Sequence, residues 1–432
     1  MKLHDKILDR KAQVAIIGMG YVGLPMAVEI ARVGFRVFGV DVDEERVASI
    51  NRGDSYIDDI ASEAMIPLVA GGYLSATGDF ARLQEADIIL ICVPTPINRS
   101  KDPDLSFVIA ATDQVARYQR PQQLVVLEST TYPGTTVEML QPRLEASGLV
   151  AGQDFYLAFS PERIDPGNKK YKPADIPKVV GGVTEACTKV TAAFYGQFIH
   201  KVIQVSSPTA AEMVKIYENI FRNINIAFVN ELAMLCDRMG LDVWEIIDAA
   251  STKPYGFMPF YPGPGLGGHC IPVDPHYLAW KAKHYDFHVK FIELAASIND
   301  NMPYHVCAKV ASVLNRLRKS INGSRIVVMG VTYKKDIADL RESPALRILE
   351  ILREQGGDVC YNDPYIPEVV LEDGTLLESM PLNDSLLDEA DCVLIVTDHS
   401  CYPYEHIARR ARAVVDTRNA MKHLHYDHVV RL

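Results

Sequence analysis

The sequence is poor in paired cysteines, in positive charge and in long apolar runs, and each shortage removes a class of protein. Its eight cysteines include no CxxC pair and no Cys/His spacing suited to zinc, so no metal site is expected. The formal net charge of -11 argues against nucleic acid or anionic membrane as a partner, because both require clustered Lys and Arg. No stretch reaches the roughly eighteen apolar residues of a membrane span, and "MKLHDKILDRKAQ" lacks the apolar core of a signal peptide. A cytoplasmic protein is expected. Low-complexity linkers are missing too. What remains is 432 residues of ordinary globular composition, 48% hydrophobic and 23% charged, enough for two or three domains.

Near the start, "AQVAIIGMGYVGLPMAVEIARVGFRVFGVDVD" reads as strand, glycine turn, helix from about Leu24 to Arg32, and strand. Gly18, Gly20 and Gly23 stand in GxGxxG spacing, with Tyr21 and Val22 between them, and Asp41 ends the second strand. Such a turn admits a pyrophosphate, the helix start offers amide donors, and Asp41 suits the adenosine ribose hydroxyls. The alternative is a merely tight βα turn. An acid at position 41 favours NAD over NADP, although Arg46 lies close by in sequence. Further apolar runs, "DIILICV" and "QLVVLEST", alternate with helical stretches and point to a doubly wound parallel sheet, on which ligands bind at the strand C-termini.

From Thr209 to Met239 there is no Gly or Pro, and Met213, Ile216, Ile220, Ile224, Phe228 and Leu232 recur at spacings of three or four. This predicts a helix of roughly 45 Å, long enough to connect domains and to carry a subunit interface. Glu212, Lys215, Asn219, Arg222 and Asn223 form a polar stripe on it. A solvated face is one reading; Lys215 and Asn219, one turn apart, also suit an oxyanion or an ordered water. A second αβ pattern begins at "SRIVVMGVTYKKD" and continues through "DVCYNDPY", "ADCVLIVTD" and "AVVDTRN", without the glycine fingerprint. The fold class expected is α/β, with two Rossmann-like doubly wound parallel-sheet domains joined by a long central helix. Its divisions are 1-205 for NAD, 206-315 for a helical dimerisation segment, and 316-432 for the second α/β domain.

Cys92 and Cys392 lie in apolar runs where a thiol acts as a small hydrophobe. Cys270 differs, because "PGPGLGGHCIPVDP" surrounds it with glycine and proline, a shaped loop rather than a slack one. "FSPERIDPG" and "ESTTYPGTT" follow apolar strands; they are either structural punctuation or the active edge, with Glu162 and Thr131 as the candidates.

Taken in order, "GMGYVGLP", "VPTPIN", "ESTTYPGTT", "FSPER", "AAEMVKIYEN", "GPGLGGHCIPVDP" and "GVTYKKDIADLRESPAL" resemble the motifs of the nucleotide-sugar dehydrogenases, the UDP-glucose and UDP-N-acetylhexosamine 6-dehydrogenase family. The resemblance covers nearly the whole chain. Through "KPYGFMPFYPGPGLGGHCIPVDP" it is nearest the bacterial UDP-N-acetylglucosamine 6-dehydrogenases of surface-polysaccharide synthesis. It implies a four-electron oxidation with Cys270 as nucleophile, Lys215 stabilising the oxyanion, and Asp274 helping Lys215 and Asn219 order the water. By the same carry-over, Thr131 and Glu162 stand at the reacting edge, Val93 and Thr95 on the NAD side, and Arg341 against NAD. Tyr261, Gly263, Gly265 and Gly267 match a substrate loop, Tyr333 and Lys334 a diphosphate contact, and Arg418 a substrate contact. The long apolar helix, as a subunit interface, suggests a homodimer or higher homo-oligomer.

Two departures bear on the sugar. The UDP-glucose branch has a second glutamate where this chain has Pro166, beside Asp165, and its neighbouring-subunit arginine has no match in "STKPYGFMPFYPG". UDP-glucose or another nucleotide sugar is therefore the alternative substrate. A two-electron dehydrogenase of the 6-phosphogluconate or 3-hydroxyacid kind would not need Cys270. A non-catalytic NAD-binding redox sensor would not need Lys215, Asn219 and Asp274 together.

Overall fold

The computed structural model describes residues 2–57, 60–98, 101–163, 171–268 and 270–432; Asp165 and Pro166 lie outside the described residues. Contacts divide the chain into two compact units, Met1–Glu218 with His276–Phe287, and Asn219–Pro275 with His288–Leu432.

The first unit is built on eight strands: β1 (Gln13–Ile17), β2 (Arg36–Val40), β3 (Leu74–Thr77), β4 (Ile88–Ile91), β5 (Leu124–Leu127), β6 (Tyr156–Phe159), β7 (Lys178–Gly182) and β8 (Val202–Gln204). Their order is β3-β2-β1-β4-β5-β6-β7-β8. β4 and β5 are apolar and buried at every position, as parallel strands covered on both faces must be. Helix Gly23–Arg32 packs Leu24, Ala27 and Val28 into the core beside Val14 and Ile16. The strand order reverses between β1 and β4, the switch point where such sheets bind ligands. One feature departs from the expected parallel sheet: β7 runs against β6, with Ala158 opposite Gly182 and Phe159 opposite Gly181. A parallel partner requires a crossover of roughly a dozen residues or more, usually helical; between β6 and β7 the described residues hold only the single turn Pro173–Asp175.

The second unit carries β9 (Arg325–Met329), β10 (Asp358–Asn362), the hairpin β11 (Glu368–Val370) and β12 (Leu376–Glu378), β13 (Cys392–Ile395), β14 (Val414–Asp416) and β15 (Val429–Arg431). Its main sheet is parallel in the order β10-β9-β13-β14-β15. The long helix spans Pro208–Met239, with residues to Glu218 in the first unit and from Asn219 in the second.

The two sheets repeat one device. Asp87, just before β4, accepts from Gln13 N at the start of β1 (3.1 Å), Lys6 Nζ (2.7 Å) and Arg120 Nη2 (2.8 Å). Asp391, just before β13, accepts from Arg325 N at the start of β9 (3.1 Å), Lys319 Nζ (2.6 Å) and Arg412 Nη1 (3.2 Å). Burial alone would raise both carboxyls, yet the bonds from Lys6 and Arg120, and from Lys319 and Arg325 N, hold them below the ordinary aspartate range.

Candidate active site

In the first unit the glycine turn follows β1. Gly18 has φ +89°, and a Cβ there would come within 2.6 Å of Cys92 O; one at Gly23 would come within 1.9 Å of Gly18 O. The protein's own packing therefore demands both. Gly20 is different: among the described residues no atom lies within 4 Å of a Cβ built there, which leaves room for a pyrophosphate at the start of a helix that no side chain caps. Asp41 Oδ2 takes Met19 N at 2.7 Å and Oδ1 takes Asp43 N at 3.0 Å, so the carboxylate also fixes the turn. Arg46 Nη1 stands 3.7 Å from Asp41 Oδ2. Tyr21 is exposed. The loop after β4 is held by its carbonyls: Val93 O accepts from Ser129 Oγ (2.7 Å) and Thr95 O from Tyr277 Oη (2.9 Å). Thr131 is buried, and among the described residues no group hydrogen-bonds its Oγ1. An orphaned hydroxyl after β5, with the open ground at Gly20, fits a bound dinucleotide.

The polar stripe of the long helix is not a solvated face. Glu212, Lys215, Asn219 and Asn223 are buried, whereas Arg222 is exposed. Lys215 Nζ donates to Glu162 O at 2.7 Å. Glu212 accepts from Thr136 N (2.8 Å) and Thr136 Oγ1 (2.6 Å) and so anchors the loop that begins with Thr131.

In the second unit Cys270 and Asp274 share one turn, with Asp274 N donating to Cys270 O at 2.8 Å. Asn219 Nδ2 donates to Asp274 Oδ2. Asn223 Nδ2 donates to Ile271 O (3.2 Å), and Asn230 Oδ1 accepts from Gly263 N (3.0 Å). Asn299 links these two, its Oδ1 accepting from Asn230 Nδ2 (3.0 Å) and its Nδ2 donating to Asn223 O (3.3 Å). The cysteine loop is thus tied at both ends to buried asparagines.

The glycines of that loop meet protein atoms. A Cβ at Gly267 would lie 2.4 Å from Tyr333 Cβ, one at Gly263 2.8 Å from Arg418 Nη1, and one at Gly265 3.1 Å from Pro344 Cβ. Gly268 N donates to Arg341 O (2.8 Å), while the Arg341 guanidinium pairs with Asp339. Tyr261 stacks on Trp244 and donates to Asp248 Oδ1 (2.9 Å). Lys334 O accepts from Thr332 Oγ1 (2.9 Å).

The second sheet lacks GxGxxG but keeps its first glycine. Gly330 after β9 has φ +78°, and its Cβ would meet Thr397 O at 2.5 Å, as Gly18 meets Cys92 O. Asp363 after β10 accepts from Val331 N (2.7 Å), the counterpart of Asp41 and Met19 N. Asn230, Asn299, Glu128 and Lys178 escaped the sequence reading. An acid opening "ESTTYPGTT" and a lysine opening the apolar strand "KVVGG" were the available signals.

A dinucleotide turn in one α/β unit and a second α/β unit with its own turn at the switch point define an NAD-dependent dehydrogenase of two nucleotide-binding folds. The chain belongs to the UDP-glucose/GDP-mannose dehydrogenase family: the family's NAD binding domain matches residues 12–199, its central domain 209–301 and its UDP binding domain 327–423. It is 34% identical to a UDP-N-acetyl-D-mannosamine dehydrogenase of Methanococcus maripaludis, over 95% of this chain and 93% of that one. It is 38% identical to a UDP-N-acetyl-D-glucosamine 6-dehydrogenase of Pseudomonas aeruginosa, over 82% and 83%. The structure of a UDP-D-ManNAc dehydrogenase from Pyrococcus horikoshii superposes with a TM-score of 0.89 at 33% identity, covering 97% of this chain and 98% of that one. The protein is a nucleotide-sugar dehydrogenase. Among the described residues no helix is long and apolar enough to cross a membrane.

Proposed function

We propose that the chain oxidises the C6 hydroxyl of a UDP-N-acetylhexosamine to the carboxylate, in a cell-surface polysaccharide pathway, with UDP-N-acetylglucosamine as the sugar. The turn that sets Cys270 against Asp274, with Asn219 donating to Asp274, carries the reading. In it, residues 1-205 hold NAD, 206-315 carry the lysine and the thiol, and 316-432 hold the UDP-sugar. Gly18, Gly20, Gly23, Asp41 and Thr131 would hold NAD, which when bound supplies the hydride acceptor, one molecule for each of two oxidations.

The first oxidation removes a proton and a hydride from the alcohol to leave the aldehyde. Cys270 Sγ adds to the aldehyde carbon, and Lys215 Nζ stabilises the oxygen that becomes negative. Loss of the second hydride leaves a thioester on Cys270. Water held by Asn219 and Asp274 hydrolyses it, returning the thiol and the acid. Gly263, Gly265 and Gly267 give this scheme a firm loop rather than a loose one, since their missing Cβ atoms admit Arg418, Pro344 and Tyr333. Tyr261, Tyr333, Lys334 and Arg418 remain the proposed sugar and diphosphate contacts, and Arg341 the NAD contact.

The manno-configured relative covers more of the chain than the gluco-configured one, which supports UDP-N-acetylmannosamine as a second reading. A substrate panel tests both: kcat/KM highest for UDP-N-acetylglucosamine, two NADH per sugar and a 6-carboxylate product are expected. A higher kcat/KM for UDP-N-acetylmannosamine selects the second reading. Two NADH and normal acid from Cys270→Ala overturn the thioester scheme, and no NADH with any UDP-sugar restores the redox sensor. The exposed Phe221, Phe228 and Leu235 on the long helix support a homodimer, checked by sedimentation. Eight thiols, none in a disulfide among the described residues, support a reducing cytoplasm.

A further inference from the structure

Glu128 and Lys178, buried in the first unit, take no part in the scheme above. Glu128 follows β5, Glu162 follows β6 and Lys178 opens β7. Because β7 runs against β6, its first residue lies at the end where β6 finishes. Extending the register of Phe159 with Gly181 by three residues sets Lys178 opposite Glu162. Lys178 Nζ is 2.6 Å from Glu128 Oε2 and 3.5 Å from Glu162 Oε2. Tyr195 Oη donates to the other oxygen of Glu128. All four side chains are buried, so one cation serves two carboxylates in a medium that screens weakly.

We propose that Lys178 and Glu128 are positioning residues for Glu162: Lys178 divides its charge between the two carboxylates and holds Glu162 at the reacting edge, and Glu128 limits the share that Glu162 receives. The inference rests on the reading of Glu162 as a group at that edge. Burial and then Lys178 act on Glu128 in opposite directions, burial prevailing to raise its carboxyl; Lys178 is itself raised, since the two carboxylates outweigh its burial. Among the described residues, further charged or titratable groups lie around Glu162. Cys92 lies after β4, its thiol pushed up by burial and then by Glu128 and Glu162. Lys215 of the long helix holds the Glu162 main-chain oxygen. Arg163, on the same loop as Glu162, pairs with Glu218 of that helix, and Glu29 of helix Gly23–Arg32 lines the same small cavity as Glu162, Arg163 and Lys178.

The test is the pH dependence of kcat/KM for the sugar in full-length variants. Glu128→Gln removes a like charge near Glu162 and keeps a near-identical shape, so the acidic limb moves to lower pH by about one unit. Lys178→Met removes the counter-charge, so the limb moves to higher pH by about as much. Lys178→Arg keeps the wild-type limb, and NAD affinity is the same in all three. Shifts of opposite sign are not the mark of general loosening. Should Lys178→Met not fold, the Glu128→Gln and Lys178→Arg pair decides alone. Glu162→Gln separates the two layers: wild-type turnover with an unmoved limb overturns the reading of Glu162 and this inference together. Loss of turnover in Glu162→Gln beside an unmoved limb in Glu128→Gln overturns the inference alone.

Discussion

Thr131 keeps a hydroxyl in the interior that no described protein group receives, and a buried polar group in that state costs about 1–3 kcal/mol. The loop carrying it is nevertheless fixed, by Glu212 through Thr136, so the hydroxyl is held where it is. Thr131→Val should therefore leave ligand-free stability unchanged or raise it by about 1 kcal/mol, while kcat/KM falls by about tenfold or more. Thermal unfolding beside steady-state kinetics checks this; a variant that loses both stability and rate would make Thr131 a structural residue. Thr131 was readable as a candidate because it follows a strand in a hydroxyl-rich loop. Glu128 and Lys178 were not. They stand fifty positions apart, and only a strand reversal brings them together, a pairing that no local pattern encodes.

The glycine turn separates packing from ligand binding within six residues. Gly18→Ala forces a side chain into a left-handed backbone against Cys92 O, at a cost of roughly 1–3 kcal/mol. Gly20→Ala meets nothing within 4 Å among the described residues, so stability should hold, or rise by up to about 1 kcal/mol, while KM for NAD rises about tenfold or more. Equal destabilisation in both variants would mean that Gly20 also serves the fold. The long helix was legible in extent, since an unbroken run without Gly or Pro needs no tertiary information. Which residues lie inside was not legible, because Glu212, Lys215, Asn219 and Asn223 are buried together with Ala211, Ile216 and Ile220 while Met213, Phe221 and Phe228 are exposed, and the usual rule places apolar residues inward and polar ones outward. The clamps at Asp87 and Asp391 mark the two sheets in another way. A carboxyl held below its unfolded value near 3.9 contributes stability that is present above that pH and is lost as pH falls through the folded value. Denaturant midpoints should therefore drop below about pH 4, and Asp87→Asn and Asp391→Asn should each lower stability at neutral pH and flatten the acid slope. A slope as steep in both variants as in the wild type would remove the clamps as its source.

Across the whole molecule, the division into two α/β folds was legible because both begin with an apolar strand followed by a glycine. The interleaving of the two units was not, because helix Asp274–Ala282 reads as any short amphipathic helix. Residues His276–Phe287 belong to the first unit: Tyr277 bonds Thr95 O, Lys281 Nζ pairs with Glu138 at 2.6 Å and Trp280 packs on Tyr132. A chain ending at Glu218 is expected to expose Tyr132 and to bind NAD more weakly than the full chain. Adding a peptide of residues 276–287 should recover part of the affinity, and tight NAD binding by the shorter chain alone would refute the role of that segment.

That interleaving also sets an order of events on the ribosome. The first unit cannot finish folding until residue 287 has left the exit tunnel, so the Cys270 thiol emerges while the fold that precedes it in sequence is still open. A nascent chain stalled before that point should be cut by protease within the loop after β4, and one stalled well beyond it should resist.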